Sequence, residues 1–217
     1  LTCQTEKDSN MFNLDQGQTG GGEGPFLAWS ARGTMDGSVP ARTFFVRDAN
    51  GKTPVDISAG FVMDLTTIKT GWQKSDGIVG VAPEWKWNAA ISNMMPNPDS
   101  VNKNDWKKGF SVRCAIGDGM TATWEQSGTG AWQALVNLTE DLSKQPSPDK
   151  CPVVAMSGVE EMKFSKGGTS VPTLSVVSWV DRPLSLSSAE TPIAAFDAGV
   201  NAAPPATAKP KVEAPLF

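Results

Sequence analysis

The stretch KKGFSVRCAIGDGMTATWEQSGTGAWQALVNLTEDLSK, residues 107–144, decides the fold. Runs of alternating apolar and polar residues flank Asp118-Gly119, and a short turn containing Asp-Gly between such runs predicts a β-hairpin. The end of the stretch, residues 130–144, has apolar residues at the i, i+3, i+4, i+7 spacing of an amphipathic helix. That stripe consists of Trp132, Leu135, Val136, Thr139 and Leu142. We therefore predict two strands followed by one helix.

Strand-like runs lie on both sides of this stretch. Three runs precede it, and two follow it as a second hairpin around Lys166-Gly167-Gly168. The runs are residues 26–33, 41–48 and 60–72 before the stretch, and residues 153–164 and 171–181 after it. Residues 73–105 carry turns and prolines around Glu84-Trp85-Lys86-Trp87. A loop of this length in a compact domain is usually functional or mobile.

The order of these elements points to a fold class. Strands, a helix after the third strand and then two more strands is the connectivity of the OB-fold. We therefore predict a mainly β domain over residues 25–184, an OB-fold-like five-stranded Greek-key barrel with the helix between strands 3 and 4. Residues 1–24 are rich in Gly, and residues 185–217 are rich in Ala and Pro. Because such segments bury too little to offset their ordering entropy, we expect a flexible N-terminal segment and a disordered C-terminal tail.

The residue types exclude several kinds of catalytic and metal site. The chain of 217 residues has no His and only three Cys, at positions 3, 114 and 151. A Ser–His–Asp triad, a Cys–His pair and a His-containing zinc site are therefore impossible within this chain. Cys114 lies in an apolar run and is predicted to be a core residue. We predict no catalytic residue, no metal site, no cofactor and no enzymatic activity.

No targeting segment is recognisable in the sequence. The longest apolar runs fall short of the roughly 18 residues needed to cross a bilayer. The first ten residues are polar and lack the apolar region of a signal peptide. The expected location is therefore cytoplasmic.

Positive charge gathers in the aromatic-rich half of the chain. The net charge is −4, but residues 29–113 hold 11 Lys or Arg against 8 Asp or Glu. Single-stranded nucleic acid is held by bases stacked on aromatic rings and by phosphates bound to Lys and Arg. The alternative for each tryptophan is packing in a barrel core, and we expect at least two or three of the aromatic residues to be exposed. The nucleic-acid-binding candidates are Trp29, Arg32, Arg42, Phe44, Trp72, Lys74, Trp85, Lys86, Trp87, Trp106, Lys107, Lys108 and Arg113.

The chain ends in Pro215-Leu216-Phe217, after the segment rich in Ala and Pro. A flexible tail of this kind can dock an apolar side chain in a pocket while its carboxylate meets a basic residue. Pro215, Leu216 and Phe217 are therefore the predicted partner-binding residues. An inert or truncated tail is the alternative interpretation.

Four runs of the chain resemble a known family. They are GPFLAWSARGTMDGSVPARTFFVRD, TGWQKSDGIVGVAPEWKWN, DWKKGFSVRCAIGDGMTATWEQ and the hairpin KCPVVAMSGVEEMKF with VPTLSVVSWVDRP. They look like phage or prophage single-stranded DNA-binding proteins with an OB-fold, over about residues 10–183. The resemblance implies sequence-independent binding in phage or prophage DNA replication or recombination, inside the bacterial host cell. Such proteins end in a flexible acidic tail whose terminal Phe recruits replication partners; Phe217 matches, although this tail is not strongly acidic.

Two other functions are compatible with the sequence. A virion structural or assembly protein fits the negative net charge more easily, and a carbohydrate-binding β-module would stack exposed tryptophans on sugars. Our first interpretation is a non-enzymatic protein that binds single-stranded DNA, with replication or recombination proteins as partners of its tail and no membrane partner. The sequence leaves a homodimer open, and it does not separate DNA from RNA.

Overall fold

The computed structural model describes residues 24–77, 81–91, 93–117, 119–164 and 167–187. The predictions for residues 1–23 and 188–217, including Pro215, Leu216 and Phe217, lie outside the described residues. Among the residues that are described, no helix is both long enough and apolar enough to cross a membrane.

Strands make up most of the described chain. They are β1 (Phe26–Ser30), β2 (Thr43–Asp48), β3 (Gly51–Val55), β4 (Phe61–Met63), β5 (Lys69–Lys74), β6 (Glu84–Trp87), β7 (Trp106–Ile116), β8 (Met120–Ser127), β9 (Lys150–Phe164) and β10 (Gly167–Asp181). The helical elements are a 3-10 turn (Leu65–Thr67), α1 (Thr129–Leu142) and α2 (Leu184–Ser187). The predicted hairpins correspond to β7–β8 and β9–β10. The segment at 84–87 was expected inside a loop, yet it pairs with β5 as strand β6.

The strands form one sheet in the order β10-β9-β4-β7-β8-β1-β2-β3. Strand β5 also pairs with β7, along a different part of its length from β4. The pairs are antiparallel except for β1 and β8, which run parallel with Leu27 beside Trp124. At the ends of this order, described residues of β3 pair only with β2, and those of β10 pair only with β9.

The prediction of a mainly β domain is confirmed, but the five-stranded closed barrel is not observed. The sheet has ten strands and does not close by hydrogen bonding between its end strands in the described ranges. The physical reason is the position of β1, which occupies the free side of β8 and continues the sheet into β2 and β3. The helix does follow β8 and precede β9, as the hairpin–helix–hairpin pattern predicted.

The inner face of the sheet carries the aromatic core. Trp124 on β8 is fully buried and meets three phenylalanines edge-on. Its ring centroid lies 5.6 Å from that of Phe44, 5.8 Å from that of Phe61 and 4.7 Å from that of Phe110. Cys114 is also fully buried on this face, as predicted, and burial raises the pKa of its thiol. Such edge-to-face clusters stabilise cores beyond their area burial.

Helix α1 covers this core with a face that coincides with the predicted stripe only in part: Leu135 is buried and Trp132 and Leu142 pack against the core. Its buried residues are Ala131, Ala134, Leu135 and Leu138, whereas Val136 is 44% exposed. Small residues pack at the centre of the contact because α1 crosses close to β10. Gly130 lies so near that strand that an added Cβ would be 3.2 Å from the Ser170 carbonyl oxygen. Trp132 is half-buried and packs at the rim of the core.

Candidate nucleic-acid interface

The pleat of the central strands separates two surfaces. Along β7, Phe110, Val112 and Cys114 point to the core, so the alternate residues point to the opposite side. We call this opposite side of β1, β2, β5, β6, β7 and β8 the outer face. Its chemically relevant residues are Phe26, Arg47, Lys69, Gln73, Trp85, Trp87, Lys107, Ser111, Arg113, Thr123 and Glu125.

A stacked pair of tryptophans lies at one end of the outer face. The rings of Trp85 and Trp87 are parallel within 8°, and their centroids are 4.3 Å apart. Trp85 is buried, whereas Trp87 is half-buried. A residue two positions along a strand returns to the same face, which explains why both rings meet.

Two glycines on the neighbouring strands make room for this pair. Gly71 on β5 and Gly109 on β7 lie side by side in the sheet, and Gly71 pairs with Trp87. A Cβ at Gly109 would lie 2.8 Å from Cη2 of Trp85, so a larger residue there would displace the indole. The glycines therefore shape a seat for Trp85 that leaves Trp87 as the outer ring of the stack.

Basic side chains lie on the same face of the sheet as the tryptophan pair. Lys69 and Lys107 are exposed and form no salt bridge within the described part of the chain. Arg47 lies over the ring of Phe26, with its Cζ 5.3 Å from the ring centroid. Arg113 is half-buried and pairs with Thr123 across the sheet, and its backbone amide donates to the Thr67 hydroxyl at 2.9 Å. The outer face thus combines flat aromatic rings with cations, which is the chemistry that single strands require.

Glu125 is the one carboxylate among the described outer-face residues of these strands. It pairs across the sheet with Ser111, which pairs in turn with Lys69. Burial raises the pKa of the Glu125 carboxyl, and the positive charges of Arg47 and Lys69 act in the opposite direction. The indole Nε1 of Trp85 is buried and has no hydrogen-bond partner among the described residues.

A second basic and aromatic region lies at the edge of the sheet where β7 begins and α1 starts. We call it the cleft. It has a volume of about 480 Å³ and is lined by Lys103, Asn104, Trp106, Lys107, Lys108, Gly128, Thr129 and Trp132. Lys107 belongs to both regions, because it lines the cleft and also pairs with Gln73 on the outer face.

Lysines lie over the tryptophan rings at the cleft. The Nζ of Lys108 is 5.8 Å from the ring centroids of both Trp72 and Trp132, and that of Lys86 is 5.0 Å from that of Trp106. Trp72 is fixed by a hydrogen bond of 3.0 Å from its Nε1 to the carbonyl of Met95. Lys74 completes this group, pairing with Trp106 across the sheet. Cations held against aromatic faces are oriented for a ligand that is both anionic and flat.

Two predicted stacking residues lie elsewhere. Trp29 and Phe44 are 4% and 1% exposed, and their ring centroids are 5.1 Å apart within the core. The indole Nε1 of Trp29 donates to the Ser170 carbonyl at 3.0 Å. A base could reach neither ring without opening the core, so we remove both from the binding set. The reason is that both side chains point to the inner face of their strands, which the sequence alternation alone does not reveal.

Two predicted arginines hold the fold together. Arg32 donates from Nη2 to the Gly168 carbonyl at 2.8 Å, and Arg42 forms a salt bridge of 2.5 Å with Glu161. Both contacts join the loop between β1 and β2 to the β9–β10 hairpin. Arg42 also has a φ of 59°, a backbone conformation that is uncommon outside glycine. Its charge is therefore already engaged within the protein.

The sequence analysis missed several residues that the structure adds to these regions. On the outer face they are Phe26, Arg47 and Glu125, and in the cleft they are Lys103 and Trp132. The alternation of Phe45 and Arg47 with Phe44 and Val46 could have placed Arg47 outside. Nothing local indicates Glu125, because its neighbours come from strands distant in sequence.

The described residues contain no group of three or more Cys, Asp or Glu side chains able to hold a metal ion. The outer face and the cleft together present cations, flat aromatic rings and the half-buried carboxylate of Glu125. No protein-family model, no curated protein and no solved structure matches the chain.

Proposed function

We propose that this protein binds single-stranded DNA along the outer face and into the cleft. The observation that carries the proposal is the combination of the stacked Trp85–Trp87 pair with lysines that form no salt bridge to any of the described residues. Bases stack on the exposed aromatic surface, and phosphates bind Lys69, Lys107 and Lys108. Because every base has a π-face, binding of this kind tolerates any sequence.

The order of the central strands supports the proposal. We interpret the order β8-β7-β4-β9-β10, with α1 after β8, as an open OB-like arrangement in which β4 and β5 count as one broken strand. OB-folds bind oligonucleotides on the face of their second and third strands and on the loop between the first two. In this interpretation the second and third strands correspond to β7 and β8, which carry Arg113, Ser111 and Glu125, and the loop between the first two contains β6 with its tryptophan pair.

A role in phage or prophage DNA replication or recombination is part of the proposal and rests on the resemblance of the sequence runs alone. Recruitment of a replication partner by Phe217 rests on the same resemblance. Deleting residues 188–217 tests it separately, since we expect DNA binding to persist while binding of the partner is lost.

Salt-dependent titration tests the DNA-binding proposal. We expect a mixed-sequence single-stranded oligonucleotide to quench tryptophan emission, with affinity falling steeply between about 50 and about 200 mM salt. Lys107→Ala and Lys108→Ala should each reduce the slope of log K against log salt by about 0.7 per lost phosphate contact.

Lys144→Ala is the matched control, because Lys144 follows the end of α1 and pairs with Asp141 at 2.9 Å. This variant should bind like the parent. A parent protein that shows no salt-sensitive binding, or lysine variants indistinguishable from the control, would contradict the proposal. Assembly into large particles without DNA binding would favour the virion structural function instead, and binding to a neutral glycan would favour the carbohydrate module.

A further inference from the structure

A carboxylate on a surface built for DNA needs an explanation. Phosphates repel Glu125, yet it lies near the middle of the outer face, between the tryptophan pair and Arg47. A surface that bound DNA only through positive charge would have a neutral residue at position 125. The neighbouring serine and threonine positions of β7 and β8 show that such residues are used on this face.

The surroundings of Glu125 favour contact with a base rather than with the backbone of the strand. The side chain is half-buried, and its register neighbour is Ser111, with Trp85 beside it. A base stacked next to Trp85 and Trp87 would present its edge to the middle of the sheet. Carboxylates accept hydrogen bonds from the exocyclic amino group of cytosine, whereas thymine presents a carbonyl acceptor at the equivalent position.

We propose that Glu125 accepts a hydrogen bond from the edge of a stacked base. The outer face would then prefer bases that carry an exocyclic amino group over thymine. This inference rests on the proposed DNA-binding function and adds a modest base preference to it. Lys69 and Arg47 keep the carboxylate from repelling the neighbouring phosphates, because their charges lie close to it. Ser111 lies directly opposite Glu125 on the neighbouring strand β7.

Paired titrations with oligo-dC and oligo-dT of equal length test the inference, since both are pyrimidine strands with the same backbone charge. At mildly alkaline pH, where cytosine is unprotonated, we expect oligo-dC to bind the parent roughly tenfold more tightly than oligo-dT. An oligonucleotide of N4,N4-dimethylcytosine, which has no amino hydrogen to donate, should lose that advantage in the parent protein. This arm requires no variant, so it holds even if changes at Glu125 impair folding.

The variant arm uses Glu125→Gln, with Glu84→Gln as the matched control. An amide both accepts and donates, so Glu125→Gln should bind oligo-dT more tightly and bring the ratio of the two affinities to about one. Glu84 is exposed at the start of β6 on the side of the sheet opposite Glu125, and its variant should keep the parent ratio. A parent ratio near one, or an unchanged ratio in Glu125→Gln, overturns the inference. A parent that binds neither oligonucleotide overturns the proposed function itself.

Discussion

The two faces of the central sheet use tryptophan in opposite ways. On the inner face, Trp124 is surrounded edge-on by phenylalanines and has no exposed surface. On the outer face, Trp85 and Trp87 stack in parallel, and the stack ends at a half-buried ring. Edge-to-face packing surrounds a ring with neighbours on several sides, whereas a parallel stack leaves a flat face on which another ring can stack. The comparison shows how one residue type serves stability on one side of the sheet and, in our proposal, binding on the other.

The largest expected effect concerns the inner face. Trp124→Ala should lower the free energy of unfolding by about 3–5 kcal/mol, because it leaves a cavity among three aromatic rings. Trp87→Ala should lower it far less, since that ring is half-buried. Denaturant unfolding of both variants measures the difference. Similar losses of stability in the two variants would contradict the separation into a core face and a binding face.

The second prediction concerns the seat of the tryptophan pair. Gly109→Ala places a Cβ 2.7 Å from the Gln126 carbonyl oxygen and 2.8 Å from Trp85. Overpacking of this kind costs about 1–3 kcal/mol of stability, and displacement of Trp85 should also weaken DNA binding. Gly117→Ala is the control just beyond β7, because its added Cβ meets no atom within 4 Å. Equal stability and equal DNA affinity of the two variants would show that the glycine does not shape the stack.

The third prediction concerns stacking itself. Trp87→Ala should weaken binding of a single-stranded oligonucleotide by roughly 1–3 kcal/mol if the ring stacks on a base. Trp87→Phe keeps a flat ring and should recover part of the loss. Fluorescence anisotropy with a labelled oligonucleotide measures both, after circular dichroism has shown that the variants fold. If folded Trp87→Ala binds the oligonucleotide with the affinity of the parent, Trp87 does not stack on a base.

The smallest expected effect is the pH dependence of stability at Glu125. Burial raises the pKa of its carboxyl above the ordinary value of 4.5, so folding favours the protonated form. The stability that this group contributes is present below pH 4.5 and is lost as pH rises through the raised pKa. Glu125→Gln should therefore melt higher than the parent near neutral pH, and the gap should shrink towards acidic pH. Thermal melts against pH measure this gap, with Glu84→Gln as the baseline for loss of one carboxylate. A difference in melting temperature between Glu125→Gln and the parent that does not change with pH would contradict this prediction.

Local patterns in the sequence were enough to predict much of the secondary structure. The Asp118-Gly119 turn with its alternating flanks predicted β7 and β8, and the Lys166-Gly167-Gly168 turn predicted β9 and β10. The helical spacing after residue 129 predicted α1, because hydrogen bonds within a helix and turn preferences act between neighbours in the chain. The absence of His excluded several catalytic sites without any reference to the fold.

The tertiary structure alone decided which aromatic residues are core and which face of α1 is buried. Trp29 and Phe44 became core residues because β1 inserts parallel beside β8 and turns them inward. Ala131 and Ala134 are buried beside Leu135 of the predicted stripe, whereas Val136 of that stripe is exposed, because α1 lies close to β10. Glu125, Lys69 and Arg47 meet on the outer face although they come from three separate strands. The alternation of residue types along a strand shows only that its two faces differ. Which face becomes the core depends on the strands and helices that cover it.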